Sequence, residues 1–335
     1  MTTSVAPIVL ALQAHPAAPG GEPAEEAGAG WADLARRAEA AGLDALVVPD
    51  HPGSTAAPFV SLAVAAGATD RLRLGTSVAN LGVANPLTLA AEVATLNILS
   101  AGRALLGVGA GHTPAEWSML GRRRPGPADR AAHMIRVAEA VVDLLAGRAV
   151  TLAAEGADLV DARLGWPGSP QPVPLLVGGS NTTMLRWAGA HAEMVELTGA
   201  GPTLPDGAYH AVRWSDQEID RRVKAVEDGA AGTGRRPVVS ALVQGIEVTD
   251  DREGRVREMR ATWSRAIPED GLPSVEEMLS SPFIMVGTAG EIADQMVGHR
   301  ERWGISRYTV RPPLEPVVTV IEALRRAGAA AGPLG

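Results

Sequence analysis

The sequence predicts a (β/α)8 TIM barrel of the α/β class. Two observations carry that expectation. Short apolar runs rich in β-branched residues alternate with amphipathic helical segments, and eight such runs follow one another along the 335 residues. No domain linker or longer repeat interrupts the alternation, so residues 1–335 read as a single barrel domain.

The elements follow in order. Pro7 to Gln13 reads as the first strand, and the Gly/Pro/Ala/Glu-rich stretch 15–30 as a loop. Trp31, Leu34, Ala35, Ala38 and Ala41 recur at helical spacing and stop at Gly42, a good residue just past a helix end. Leu43 to Val48 is the second strand, and 58–69 a helix. Leu72 to Val78 is the third strand. Asn85-Pro86 starts a helix, with Asn able to cap and Pro suited to the first helical position, and Gly102 ends it. Ala104 to Gly109 is the fourth strand; Met134, Val137, Ala138, Val141, Leu144 and Leu145 form one face of a long helix. Val173 to Val177, Ala192 to Leu197 and Val238 to Ile246 are strands five to seven, with a helix over 181–190. Thr288 and Glu291 have capping-box spacing and open a helix that Gly304 closes before the eighth strand, Ser306 to Val310. Two longer segments, 199–237 and 263–283, are expected as lids or insertions at the C-terminal face of the strands.

Composition narrows the function. A formal charge of −8 speaks against nucleic acid as a partner, because phosphate-neutralising surfaces are basic. The one basic run, Arg122-Arg123-Arg124, sits between Gly121 and Pro125 and reads as a solvated loop. The absence of cysteine excludes disulfides, thiolate metal sites and a Cys nucleophile. No apolar run approaches the ~20 residues that span a bilayer, so no membrane partner is expected. The apolar stretch from Val5 to Leu12 has no Lys or Arg before it, unlike a signal peptide, and a cytoplasmic location is expected. The histidines 51, 112, 133, 191, 210 and 299 show no H-x-x-x-H or H-E-x-x-H pattern, so no metal site is expected. A nucleophile elbow and a Walker loop are also missing.

Four segments at strand ends carry chemistry. Asp50-His51 follows the second strand, at the end of a parallel barrel where catalytic residues sit, and His51 can exchange a proton near neutral pH. Gly75-Thr76-Ser77-Val78-Ala79-Asn80 brings small and polar residues to the same mouth. Gly107, Gly109 and Gly111, running on to His112 and Glu116-Trp117, suit either close backbone approach to something flat or a bulge. They are no dinucleotide fingerprint, since its helix turn and later acid are absent. Gly178-Gly179-Ser180-Asn181-Thr182-Thr183, before a helix, reads either as an anion cradle or as a glycine turn with a Ser or Asn cap.

Taken in order, these segments resemble the luciferase-like monooxygenase superfamily, in particular its branch of oxidoreductases that depend on the deazaflavin coenzyme F420. The resemblance runs through Gly42-Leu43-Asp44 to Asp50-His51, Asn85-Pro86-Leu87-Thr88-Leu89-Ala90, Ser100-Ala101-Gly102-Arg103 and Leu106-Gly107-Val108-Gly109-Ala110-Gly111. It continues through Pro174 to Gly179, Ser281 to Thr288 and Gly304 to Val310. It implies a tricyclic ring in the barrel mouth and a cofactor phosphate near Gly178, Gly179, Ser180 and Asn181. It also implies a non-prolyl cis peptide at Ser77-Val78 supporting the ring, with Asn80 as the polar position beyond it. Asp50 and His51 match the relatives' acid–histidine pair, with His51 moving the proton, His112 as second candidate and Asp50 orienting the site. His112 stands where some sugar-phosphate dehydrogenases of the group place a glutamate, and Ala115 replaces an asparagine, which speaks against a sugar phosphate as substrate. The expected function is hydride transfer between F420 and a small molecule, most simply reduction of a C=C or C=N bond, in a homodimer. The alternatives are an FMN-dependent monooxygenase and a cofactor-binding barrel without catalysis. A single lysine, Lys224, against 29 arginines reflects a G+C-rich coding sequence and leans the cofactor toward F420.

Overall fold

A computed structural model of the protein describes residues 6–16, 24–166, 171–204 and 210–330. Among them, eight parallel strands close into a barrel: β1 (Val9–Gln13), β2 (Ala45–Val48), β3 (Arg73–Thr76), β4 (Ala104–Gly109), β5 (Leu175–Gly179), β6 (Met194–Leu197), β7 (Val238–Leu242) and β8 (Ile305–Val310). Each strand pairs with its neighbour in sequence, and β8 returns to β1 through Val9↔Arg307 and Leu12↔Val310. The seam between β3 and β4, at Leu74↔Ala104 and Gly75↔Leu105, is closed by two glycines. A side chain at Gly75 would meet the Leu105 carbonyl oxygen at 2.0 Å, and one at Gly107 the Thr76 oxygen at 1.9 Å. Only glycine allows those backbones to approach.

The helices are α1 (Ala24–Ala41), α2 (Pro58–Ala68), α3 (Pro86–Leu99), α4 (Pro114–Met119), α5 (Pro127–Leu145), α6 (Thr182–His191), α7 (Asp216–Ala230), α8 (Arg252–Trp263), α9 (Val275–Ser280), α10 (Ala289–Trp303) and α11 (Leu314–Arg326). The expected caps are in place. Asn85 Oδ1 accepts from the Leu87 and Thr88 amides, and Thr288 and Glu291 form the capping box that opens α10. None of these helices is long and apolar enough to cross a membrane.

Side chains alternate along the strands with period two. One set, including Leu10, Leu12, Leu46, Val48, Leu106, Val108, Val177 and Leu197, packs in the large core shared with the helices. The other set fills the barrel interior and divides into two kinds. Ala11, Ala45, Val47, Leu105, Leu176 and Met194 form a compact apolar cluster, against which Val78 packs from above. Glu196, Ser240, Arg307 and Thr309 make up a buried polar remainder.

Four sequence expectations are corrected. The third strand stops at Thr76 and resumes as the two-residue strand Ala79–Asn80, with the cis peptide Ser77-Val78 between them. The seventh strand stops at Leu242; Gly245–Val248 turns away to pair with Ile284–Gly287. The stretch read as a loop over 15–30 contains the start of α1 at Ala24. The basic run is not simply solvated, since Arg122 donates to the Val83 and Gly156 carbonyls and Arg124 to the Thr203 hydroxyl. Of the two expected insertions, the first carries a hairpin, Ala200–Thr203 with His210–Val212, and the second carries α9.

Candidate active site

The barrel mouth collects residues from five strand ends. Its floor is the Ser77-Val78 segment, in which the Ser77 amide, carbonyl and hydroxyl are all engaged. The Ser77 amide donates to the Val48 carbonyl (3.1 Å), the Gln13 side-chain amide donates to the Ser77 carbonyl (2.6 Å), and Ser77 Oγ donates to Glu196 Oε1 (2.5 Å). Val78 lies half-buried on top of the apolar interior. Two flanking glycines make room for it: side chains at Gly109 and Gly178 would meet the Val78 methyls at 2.5 and 2.7 Å. These glycines therefore serve Val78 packing. Gly111 is required by a different neighbour, since a side chain there would meet Asn80 Oδ1 at 2.1 Å.

Beside the floor, Asn80 joins two acids. Its backbone amide donates to Asp50 Oδ2 (2.9 Å), its side-chain oxygen accepts from the Gly82 amide (3.0 Å), and its side-chain nitrogen donates to Glu116 Oε2. Glu116, on α4, is 1% exposed and its other oxygen lies 2.7 Å from His51 Nδ1. A carboxylate accepting from Asn80 accepts from Nδ1–H as well, which fixes the tautomer and leaves Nε2 to exchange a proton. Asp50, expected to orient the site, holds the Asn80 backbone, and the contact to His51 Nδ1 comes from Glu116. Burial pushes the Asp50 carboxyl above its ordinary range, with nearby Glu116 adding to the push and the Asn80 hydrogen bond opposing it.

His112 is in the same wall, its ring edge-on to His51 at 5.2 Å and to His210 at 4.5 Å between centroids. Burial, then the neighbouring His210 and His51, pull its pKa down to about 3, so its ring is neutral at physiological pH. The two histidines are thereby distinguished: His51 has a carboxylate partner, while His112 is a neutral hydrogen-bonding group. Glu116 and His210 went unassigned in the sequence. Glu116 lies 65 residues from His51, and no spacing signal links them.

At the end of β5 the Asn cap is in place. Asn181 caps α6, its Oδ1 accepting from the Thr183 and Met184 amides. Those two donors are committed, and the helix start retains the Asn181 and Thr182 amides for a ligand. Gly178 is buried under Val78, whereas Gly179 is open: a side chain there would meet only Met184 Cε, at 3.3 Å. Ser180 Oγ shares a hydrogen bond with Thr198 (3.0 Å). An apolar floor, an open glycine and free amides on one mouth fit a flat ring bearing an anionic tail.

A family model for luciferase-like monooxygenases matches residues 8–307. The chain is 32% identical over 211 residues to an F420-dependent glucose-6-phosphate dehydrogenase of Kineococcus radiotolerans, covering 58% of this chain and 62% of that protein. It is 30% identical over 246 residues to 4-hydroxyprotoasukamycin monooxygenase of Streptomyces nodosus subsp. asukaensis, covering 70% of this chain and 63% of that one. The matches thus span just under two thirds of the length of both curated relatives. Among solved structures, the F420-dependent tetrahydromethanopterin reductase from Methanopyrus kandleri superposes with a TM-score of 0.69 at 19% identity, covering 95% of this chain and 98% of that one. At that identity the likeness speaks for the fold alone.

Proposed function

Since the chain belongs to the luciferase-like monooxygenase family, we propose that it is an F420-dependent oxidoreductase reducing a C=C or C=N bond of a small organic molecule. The observation that carries this reading is His51, held by buried Glu116 beside the Val78 floor. F420-dependent relatives support the cofactor choice. When bound, F420 supplies hydride chemistry, and the chain's own residues do the rest. Val78, seated between the flanking glycines, would support the ring. Gly179, Ser180 and the amides of Asn181 and Thr182 receive the tail. Glu116 holds His51 so that Nε2 delivers a proton to the atom that gains negative charge as hydride arrives. His112, neutral, orients the substrate by hydrogen bonding.

The test is anaerobic. Protein loaded with reduced F420 is mixed with a panel of enones and cyclic imines, and oxidation of the cofactor is followed by its absorbance. Oxidation without oxygen by at least one substrate class is expected. The Streptomyces relative favours a second reading, an FMN-dependent monooxygenase; oxidation that requires both oxygen and FMN would support it. If nothing oxidises the cofactor in either format, the barrel binds without catalysing.

We also propose a homodimer. Neighbouring helices α2 and α3 leave Val60, Val64, Ile98 and Leu99 between 47% and 70% exposed, apolar side chains that contact with a second copy would cover. Light scattering is expected to give twice the 34.6 kDa chain mass, and Val60→Glu with Leu99→Glu to give the monomer.

A further inference from the structure

We infer that Glu196 is a positioning residue: from inside the barrel it fixes Ser77, and through Ser77 the surface that a bound ring rests on. The inference builds on the proposed cofactor site and concerns a residue that the mouth does not expose.

TIM-barrel interiors are ordinarily filled by branched apolar side chains. Here part of the interior is polar, and two of its side chains, Glu196 and Arg307, are charged. Glu196 and Arg307 are each 1% exposed. Glu196 Oε2 accepts from Ser240 Oγ (3.3 Å), Arg307 Nη1 (3.5 Å) and Thr309 Oγ1, and Arg307 Nε continues to Asp44 Oδ2 (3.1 Å). A buried ion pair of this kind gives little net stability over apolar packing of equal volume. What it does give is a fixed acceptor, Oε1, pointed at Ser77 Oγ (2.5 Å). No other side chain among the described residues bonds that hydroxyl. Gln13 holds the Ser77 carbonyl from the other side and is itself held by Arg311 Nε (3.1 Å). Ser77 is thus clamped between a buried carboxylate and an amide, and Val78 follows it in the chain.

Glu196→Gln preserves shape and takes the charge out of the clamp. The amide oxygen stays with the three donors around Oε2, and the NH2 group turns toward Ser77, whose hydroxyl then accepts a neutral hydrogen bond in place of donating to a carboxylate. Ser77→Ala removes the same bond from the other end and leaves Glu196 its remaining partners. F420 affinity is measured by fluorescence titration for wild type, both single variants and the double variant, with the thermal midpoint of each. Ser77→Ala is expected to weaken F420 binding about tenfold and Glu196→Gln about threefold, because a Ser77-Val78 surface released from the clamp must be ordered again on binding. The double variant is expected to bind no more weakly than the weaker single, because both act through one bond. A merely structural role for Glu196 would lower the midpoint without this coupling. Affinities that multiply in the double variant, or a folded single variant that binds within twofold of wild type, would overturn the inference. Should Glu196→Gln fail to fold, Ser77→Ala decides alone: unchanged affinity overturns it. Wild-type protein that takes FMN in place of F420 would sink the cofactor proposal, and the same cycle is then read with FMN.

Discussion

His51→Ala is expected to lower turnover by about two orders of magnitude or more while leaving F420 affinity within a few-fold. The size follows from the work assigned to the ring: a positioned acid typically contributes ~100- to 10,000-fold. The selectivity follows from geometry. His51 hangs from the loop after β2, its backbone amide bonded to Thr55 Oγ1 (3.0 Å), and takes no part in the Ser77-Val78 floor or the helix start at Asn181. Removing it therefore removes a proton carrier without disturbing the binding surface. Anaerobic single-turnover kinetics on loaded protein separates the two effects. His112→Ala is the control. Its ring is already neutral at pH 7, so its loss should raise KM more than it lowers turnover. A large fall in turnover for His112→Ala with near-normal His51→Ala would transfer the proton to His112.

The second large effect is expected at Glu116. Glu116→Gln keeps an acceptor for one neighbour and loses it for the other, so either His51 or Asn80 is left facing an NH2 group. Turnover should fall about 10- to 100-fold, bounded above by the effect of His51→Ala, because Glu116 acts through that ring. The double variant should be no slower than His51→Ala alone. The Asn80 side chain is buried, and leaving its amide unsatisfied costs roughly 1–3 kcal/mol. A lowered thermal midpoint should therefore accompany the kinetic loss. Equal turnover in a folded Glu116→Gln protein would remove the carboxylate from the account.

The contrast between His51 and Glu116 shows what the sequence could reveal. Elements announced by local chemistry were legible: Asn85-Pro86 at a helix start, Thr288 with Glu291 as a capping box, and the short apolar strand from Ala104 to Gly109. The barrel followed from their alternation. The Ser77-Val78 cis bond came through family resemblance. Tertiary pairings were not legible. Nothing local marks Glu116 as the partner of His51, or Glu196 as the partner of Ser77 at a separation of 119 residues. The glycine run at 107–111 reads locally as a close approach to something flat or as a bulge, and only the fold shows that Gly107 and Gly109 make room for the Thr76 carbonyl and for Val78. Asn181 reads the same locally whether it caps a helix or holds a phosphate, and only the distances to Thr183 and Met184 establish the cap.

The account turns on which ring lies on the Val78 floor, and a pair of titrations addresses it directly. Purified protein is titrated with F420 and, separately, with FMN under the same conditions. F420 is expected to bind at least tenfold tighter, a difference of ~1.4 kcal/mol or more. Equal or tighter FMN binding, together with substrate-dependent oxygen uptake by the FMN-loaded protein, would contradict it.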